Sequence, residues 1–280
     1  MVKKFVVIKP FNHNVVYCKC IDSKNECIIL GKGVGFGVKE GQYVNDKNIE
    51  KVLYIFDEDT IRKFNSLIEN IDGDIVAAAE EIIEYAASCF ESKLNENLHI
   101  TLLDHLNFAV IRYKSAIEIK NPFLYEIKSM YKKEFEIAKK AVELINNKLN
   151  INLPEDEAAF IAMHIHAAAN NIPISQAALT TNVIAASIQY IEDSLGINID
   201  KESIEYIRLL THIRFAVDRA RKKISIENLL IDTIKEKYNY SFQIAKNLSE
   251  MLNKEYFIEF SEGEIGYIAL HLQTIIGKLT

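Results

Sequence analysis

The rhythm of hydrophobic and polar positions changes once along the chain. In the first 56 residues, short stretches rich in Val, Ile and Tyr alternate with turn signals. "KFVVIKPF", "NVVYCKCI" and "ECIIL" read as strands. Asn12-His13-Asn14 and Asp22-Ser23-Lys24-Asn25 read as the turns between them. A glycine-rich loop, "GKGVGFG" from Gly31 to Gly37, follows, and "YVNDKNIEKVLYI" returns to strand character at its end. The pattern predicts a meander of about four strands. A sheet this small has little core of its own, and pairing with a second copy is a natural remedy. From Asp59 onward the period becomes helical. Ile75, Ala78, Ala79, Ile82, Ile83, Ala86 and Phe90 fall at helical spacing. Glycine is absent between Gly73 and Gly196, and three prolines lie beyond residue 100. Residues 63–280 are expected to be all-α.

The helical part repeats. A shift of 107 residues lays it on itself without gaps over about 70 positions. His105, Phe108 and Ala109 fall on His212, Phe215 and Ala216. Tyr131, Phe135, Ile137, Ala138 and Lys139 fall on Tyr238, Phe242, Ile244, Ala245 and Lys246. Glu155, Glu157, Ile161, Ala162 and His164 fall on Glu262, Glu264, Ile268, Ala269 and His271. Copies this long are tandem domains, since each can bury its own core. The break falls near "NNIPISQ". The expected fold is multidomain: a small all-β domain over 1–60, then two homologous all-α helical bundles over 63–171 and 172–280.

Charge sharpens this division. The net charge is −6, but residues 1–56 hold nine lysines against five acids, about +4, and the remainder carries about −10. A basic head on an acidic body suits a nucleic-acid-binding head. No apolar run reaches bilayer length and no signal-peptide pattern opens the chain, so a cytoplasmic protein without membrane insertion is expected. Cys18, Cys20 and Cys27 lack the paired hooks of a zinc site, and with the distant Cys89 they read as reduced thiols.

Four of the seven histidines occupy equivalent places: His105 with His212, and His164 with His271, 59 residues apart in both copies. His164 lies seven residues after Glu157, and His271 seven after Glu264, on about the same helix face. "SEGEIGYIALHL" carries a capping-box signature at Ser261 and Glu264, and Pro154 stands at a helix-starting position in the first copy. Three readings compete. A histidine on an amphipathic helix is most often an interface or core residue with a satisfied nitrogen. Two histidines per domain, with Glu157 and Asp104 nearby, can serve a metal, although Thr211 removes one acid from the second copy. A neutral imidazole can also accept a phosphoryl group, adding about two negative charges. Persistence of both pairs while neighbours such as Asp104/Thr211 differ weakens the first reading. His13 reads as a turn residue. His99 and His166 face Tyr206 and Gln273 at the repeat offset and stay outside the set.

"GKGVGFG" is neither a dinucleotide nor an ATP loop, because the order of residues is wrong and no helix follows. Its glycines can let the backbone approach a nucleic acid, Lys32 can reach a phosphate, and Phe36 can stack on a base. An ordinary turn with a core aromatic is the plainer alternative. RNA is favoured over DNA because no helix-turn-helix pattern is present.

The strings "NHNVV", "LGKGVGFG", "IEKV", "LLDHLNFAVIR", "NPFL", "LPEDEAAFIAMHIHAA" and "THIRFAVDR" give the whole chain a resemblance to a known family. It resembles the bacterial antiterminators of the BglG/LicT/SacY type, and within them the glucose-operon type. The resemblance implies a co-antiterminator RNA-binding domain followed by two regulation domains of the sugar phosphotransferase system (PTS). It implies a homodimer that binds a leader-RNA hairpin and prevents termination upstream of sugar-transport genes. RNA contacts would fall on Asn14, Gly31, Lys32 and Phe36, with Lys9 as a further contact. Many members carry Arg at the place of Lys32, and the glucose-type members carry Lys. Phosphorylation would fall on His105, His164, His212 and His271, with the transporter component EIIB and the phosphocarrier HPr as donors. Asp104 would orient His105. No cofactor and no enzymatic activity are implied. A phosphate-relaying enzyme and a metal-binding helical protein are the competing classes.

Overall fold

The computed structural model describes residues 4–55, 63, 64, 67 and 71–279. The change of period placed at Asp59 and the domain end placed at residue 60 lie outside the described residues. The chain divides into two compact units, Met1–Pro122 with Lys133–Ile174, and Phe123–Lys132 with Ser175–Thr280.

The first unit begins with one antiparallel sheet whose strands follow chain order: β1 (Phe5–Asn12), β2 (Val15–Cys20), β3 (Glu26–Leu30) and β4 (Lys51–Ile55). β1 carries register shifts between Val7 and Lys9 and between Pro10 and Asn12. Pro10 has no N–H for the ladder, and irregular edge positions are where proline is tolerated in a sheet. One face packs Phe5, Val7, Val16, Cys18, Cys20, Cys27 and Ile29 against Val34 and Val44 from the loop after β3. Cys18, Cys20 and Cys27 are therefore apolar core residues, and none of the four cysteines forms a disulfide among the described residues. The other face buries Val15, Tyr17 and Ile28. Tyr17 meets the buried Phe64 edge-on, ring centroids 6.0 Å apart. The chain itself thus contributes cover to this second face. Gly73 opens the helix Gly73–Ser88 against the Phe11 carbonyl. A Cβ there would lie 2.7 Å from that oxygen, so only glycine allows the approach.

Ten helices follow among the described residues. In the first copy they are α1 (Gly73–Ser88), α2 (Leu98–Lys114), α3 (Leu124–Met130), α4 (Lys132–Leu149) and α5 (Asp156–Ala169). In the second they are α6 (Ile174–Leu195), α7 (Ile204–Arg221), α8 (Ile231–Lys237), α9 (Asn239–Tyr256) and α10 (Glu262–Leu279). The 107-residue shift carries α3 onto α8 and α4 onto α9 end for end. It also carries the left-handed residues Ala116 and Asn150 onto Lys223 and Phe257, so the chain turns repeat along with the helices. Although it belongs to the first copy in sequence, α3 groups with the second unit.

Local sequence explains the helix starts. Asp72 caps α1 by accepting the Asp74 N–H at 2.9 Å, and Ser203 caps α7 by accepting that of Tyr206 at 3.2 Å. Ser261 accepts the Glu264 N–H at 3.4 Å, which is half of the expected capping box. The other half does not form, because stronger partners on α7 engage the Glu264 carboxylate. Pro154 lies two residues ahead of α5, where its carbonyl accepts the Glu157 N–H at 3.1 Å.

Candidate functional site

The four singled-out histidines form two matching pairs. α2 and α5 bring His105 and His164 together with ring centroids 5.0 Å apart, and α7 and α10 bring His212 and His271 to 5.1 Å. Each pair stands beside a buried carboxylate. His105 Nε2 donates to Glu157 Oε2 at 2.8 Å, while Arg112 Nη2 donates to Oε1 of the same carboxylate at 2.9 Å. In the second copy His212 Nε2 donates to Glu264 Oε2 at 3.2 Å, and Arg219 Nε donates to Oε1. A carboxylate with no exposure, such as Glu157, is tolerable only when its charge is paired and its oxygens are bonded.

This arrangement differs from the sequence reading in one respect. The residue that holds His105 is Glu157, from another helix, rather than its neighbour Asp104. The loss of the acid at Thr211 therefore leaves the second set intact. Arg112 was missed altogether. Its signal was present, since Arg112 falls on Arg219 at the repeat offset.

The second histidine of each pair sits in a different environment. Burial and the neighbouring His105 push His164 down to about 3, and its Nδ1 is buried without a partner. Burial, His212 and Arg208 push His271 down to about 4. Both rings are therefore neutral, nucleophilic imidazoles at physiological pH. His164 lines a cavity of about 800 Å3 with Lys63, Asn95, Asn97, Thr101 and Asn171. His271 lines one of about 240 Å3 with Glu205, Arg208, Tyr267 and Thr274. In the second set, burial would raise Glu264, but its bonds from His212 and Arg219 outweigh burial and hold it below its usual range.

The depressed histidines set an acid sensitivity. The unfolded chain binds protons at these two positions from about pH 6.5 downward, and the folded chain resists them until about 3 to 4. Stability is complete above about pH 6.5 and falls as pH drops through that window. Far-UV circular dichroism at fixed urea is expected to show this loss, on the order of a few kcal/mol for His164. In His164→Asn the first copy should lose less stability between pH 6.5 and 4 than in wild type. An unchanged slope would show that His164 is not held neutral.

The two histidines left outside the set have structural partners. His99 faces Glu80 at 2.9 Å, and His166 faces Glu134 at 3.0 Å. At the repeat offset these become Tyr206 with Ser187 and Gln273 with Ser241. The Ser241 hydroxyl bonds Gln273 at 2.9 Å, so a neutral pair stands where an ionisable pair stood. The Tyr206 hydroxyl instead reaches the buried Glu126 at 2.8 Å.

In the N-terminal domain, Asn14, Gly31 and Lys32 converge. The Asn14 main-chain oxygen accepts the Gly31 N–H at 3.0 Å, and its side-chain oxygen accepts that of Gly33 at 2.9 Å. The Lys32 N–H donates to Glu50 at 3.1 Å, while the residue itself is exposed. All three line a cleft of about 210 Å3 with Glu50, Asp74, Glu81 and Lys148. Phe36 joins through His13, edge-to-face at 5.2 Å, and is 72% exposed. The plainer alternative of a core aromatic is thereby excluded. Lys9 stands within β1, opposite Tyr17, with its ammonium 5.9 Å from the Phe11 ring. A Cβ on Gly31 would lie 1.8 Å from the Asn48 carbonyl oxygen, so this glycine serves a close approach within the domain itself. Gly33 and Gly37 instead supply positive φ, +70° and +68°.

Comparison with known proteins follows the same division. The CAT RNA binding domain matches residues 5–62, and the PRD domain matches twice, at 80–168 and 186–275. The transcription antiterminator LicT of Bacillus subtilis (strain 168) is 33% identical over 273 residues, covering 96% of this chain and 98% of LicT. The chain belongs to the CAT–PRD antiterminator family. Protein GlcT of Staphylococcus aureus (strain bovine RF122 / ET3-1) is likewise 33% identical, over 96% of each chain. The crystal structure of GlcT CAT-PRDI superposes with a TM-score of 0.52 at 37% identity, covering 60% of this chain and 99% of that one. The sheet described above is thus a CAT domain, and the duplicated helical copies are PRD domains. Among the described residues, no helix is long and apolar enough to cross a membrane.

Proposed function

We propose that this chain is an antiterminator whose CAT domain, working as a homodimer, binds a leader-RNA hairpin and prevents termination upstream of sugar-transport genes, glucose transport foremost. Phosphorylation of His105, His164, His212 and His271 governs it, with the transporter component EIIB and the phosphocarrier HPr as donors. The observation that carries this reading is the recurrence of one histidine pair, 5.0 and 5.1 Å apart, in both copies of the repeat. A structural histidine has no need to recur as a pair, whereas a charge switch acting through both domains does.

The RNA surface in this reading is built from Asn14, Gly31, Lys32 and Phe36, with Lys9 as a flanking cation. Asn14 staples the β1–β2 turn to the glycine loop, and that staple presents Lys32 and Phe36. A phenylalanine 72% open to water favours a stacking partner. The chain acts as a regulator that holds phosphate rather than as an enzyme that relays it, and it works in the cytoplasm where transcripts are made. Two dianionic groups added to each PRD reset the packing around the histidine pairs, and the change in dimer geometry sets RNA affinity.

A read-through reporter placed behind the leader of a neighbouring sugar-transporter gene tests this. Phe36→Ala is expected to lower RNA affinity by about 1–3 kcal/mol, the value of one stacked base. Lys32→Ala is expected to reduce the salt slope of binding by about one. The double variant His105→Ala/His164→Ala is expected to lose its response to sugar. Read-through that stays sugar-dependent in that variant would remove the first PRD from the switch, and full RNA affinity in Phe36→Ala would relocate the RNA surface.

A further inference from the structure

The two histidine pairs are built from chemically distinct rings, and the carboxylate decides which atom of the first ring can react. A carboxylate only accepts hydrogen bonds. The Nε2 that faces Glu157 at 2.8 Å therefore carries the proton of neutral His105, and the same holds for His212 against Glu264 at 3.2 Å. The lone pair of each ring is then on Nδ1, which makes no hydrogen bond among the described residues. Arg112 and Arg219 occupy the other oxygen of each carboxylate. That second bond stops each carboxylate from rotating away.

We infer that Glu157 and Glu264 direct phosphorylation of His105 and His212 to Nδ1, acting as positioning residues that hold the reactive tautomer and the charge the reaction creates. This inference rests on the reading of these histidines as phosphoryl acceptors. The geometry appears twice, in copies whose intervening residues have diverged, so it is not an accident of one site.

The step balances simply. The Nδ1 lone pair forms a bond to the phosphorus of a phosphohistidine donor protein. The donor's N–P bond breaks, and its nitrogen keeps that electron pair. No proton leaves the acceptor ring, because Nε2–H stays in its bond to Glu157. The ring gains positive charge as Nδ1 is substituted, and the adjacent carboxylate offsets it. This is the logic of an oriented imidazole whose third group fixes the tautomer and stabilises the imidazolium. Transfer back to the donor reverses each step.

Position-specific NMR of the full chain tests the inference. The protein, labelled with 15N-histidine, is phosphorylated by phospho-HPr, and long-range 1H–15N spectra distinguish Nδ1-phosphoryl from Nε2-phosphoryl rings. The signals that vanish in His105→Ala and in His212→Ala are expected to be those of Nδ1-phosphohistidine. Glu157→Gln keeps size but relaxes the tautomer. It is expected to slow phosphorylation of His105 by roughly 100-fold, while His212 in the same molecule retains its rate and reports intact folding. Phosphate on Nε2 of His105 would overturn the inference and leave the regulatory reading standing. Phosphate on none of the four rings would overturn the regulatory reading and the inference with it. An unchanged rate at His105 in Glu157→Gln would deny the carboxylate its role.

Discussion

Gly31→Ala is expected to unfold the CAT sheet and abolish RNA binding while leaving the helical domains intact. A methyl group at this position would lie 1.8 Å from the Asn48 carbonyl oxygen, 2.9 Å from its carbon and 3.0 Å from the Glu50 nitrogen. All three atoms are backbone. They cannot withdraw cheaply, because the Glu50 N–H is bonded to the Leu30 carbonyl at 2.9 Å in the same ladder that sets β4. Overpacking against rigid backbone costs about 1–3 kcal/mol or more. A sheet domain this small has only a few kcal/mol to lose. The contrast is Gly33→Ala, where nothing lies closer than 3.9 Å and the penalty is that of a positive φ, about 1–2 kcal/mol. Amide dispersion of the strand residues, measured beside RNA binding, separates the two causes of lost affinity. A folded sheet in Gly31→Ala that still fails to bind RNA would place the loss in the contact Gly31 makes with RNA rather than in the fold.

Glu157→Ala should destabilise the first PRD strongly. Glu157 is fully buried and holds both His105 and Arg112. Removing one partner of a buried charged pair costs about 3–5 kcal/mol, because the other partner is left unpaired. The lower end applies, since the Arg112 side chain is 32% exposed and can turn toward water. The expected loss is about 3 kcal/mol. Urea unfolding followed by circular dichroism should show the first helical domain melting early and the second melting as before. Glu264→Ala is expected to invert that pattern. A loss below about 1 kcal/mol, the size of a surface ion pair, would mean that water or Asp104 replaces the carboxylate.

These two residues show how far the sequence could be read. Both were visible in it, and both were given an incomplete role. Gly31 stood in a glycine-rich loop, a pattern that fits close approach by a ligand or by the chain itself. Composition cannot say which, because the atom it approaches, the Asn48 oxygen, is 17 residues away and arrives only when β4 closes the sheet. Glu157 was placed on the helix face of His164, as its seven-residue spacing requires, and its actual partner is on α2. Helical periodicity says which residues share a face. The angle at which two helices cross decides what that face meets.

Alternation over the first 56 residues, the 3.6-residue period beyond and the 107-residue shift determined the strands, the helices and the duplicated histidines by themselves, because each depends on neighbours along one element. Tertiary structure alone decided that Arg112 and Arg219 complete the two sites, that Phe36 faces water, and that α3 groups with the second unit. Those outcomes depend on free energies of burial and charge pairing between segments far apart in the chain, which no local pattern records.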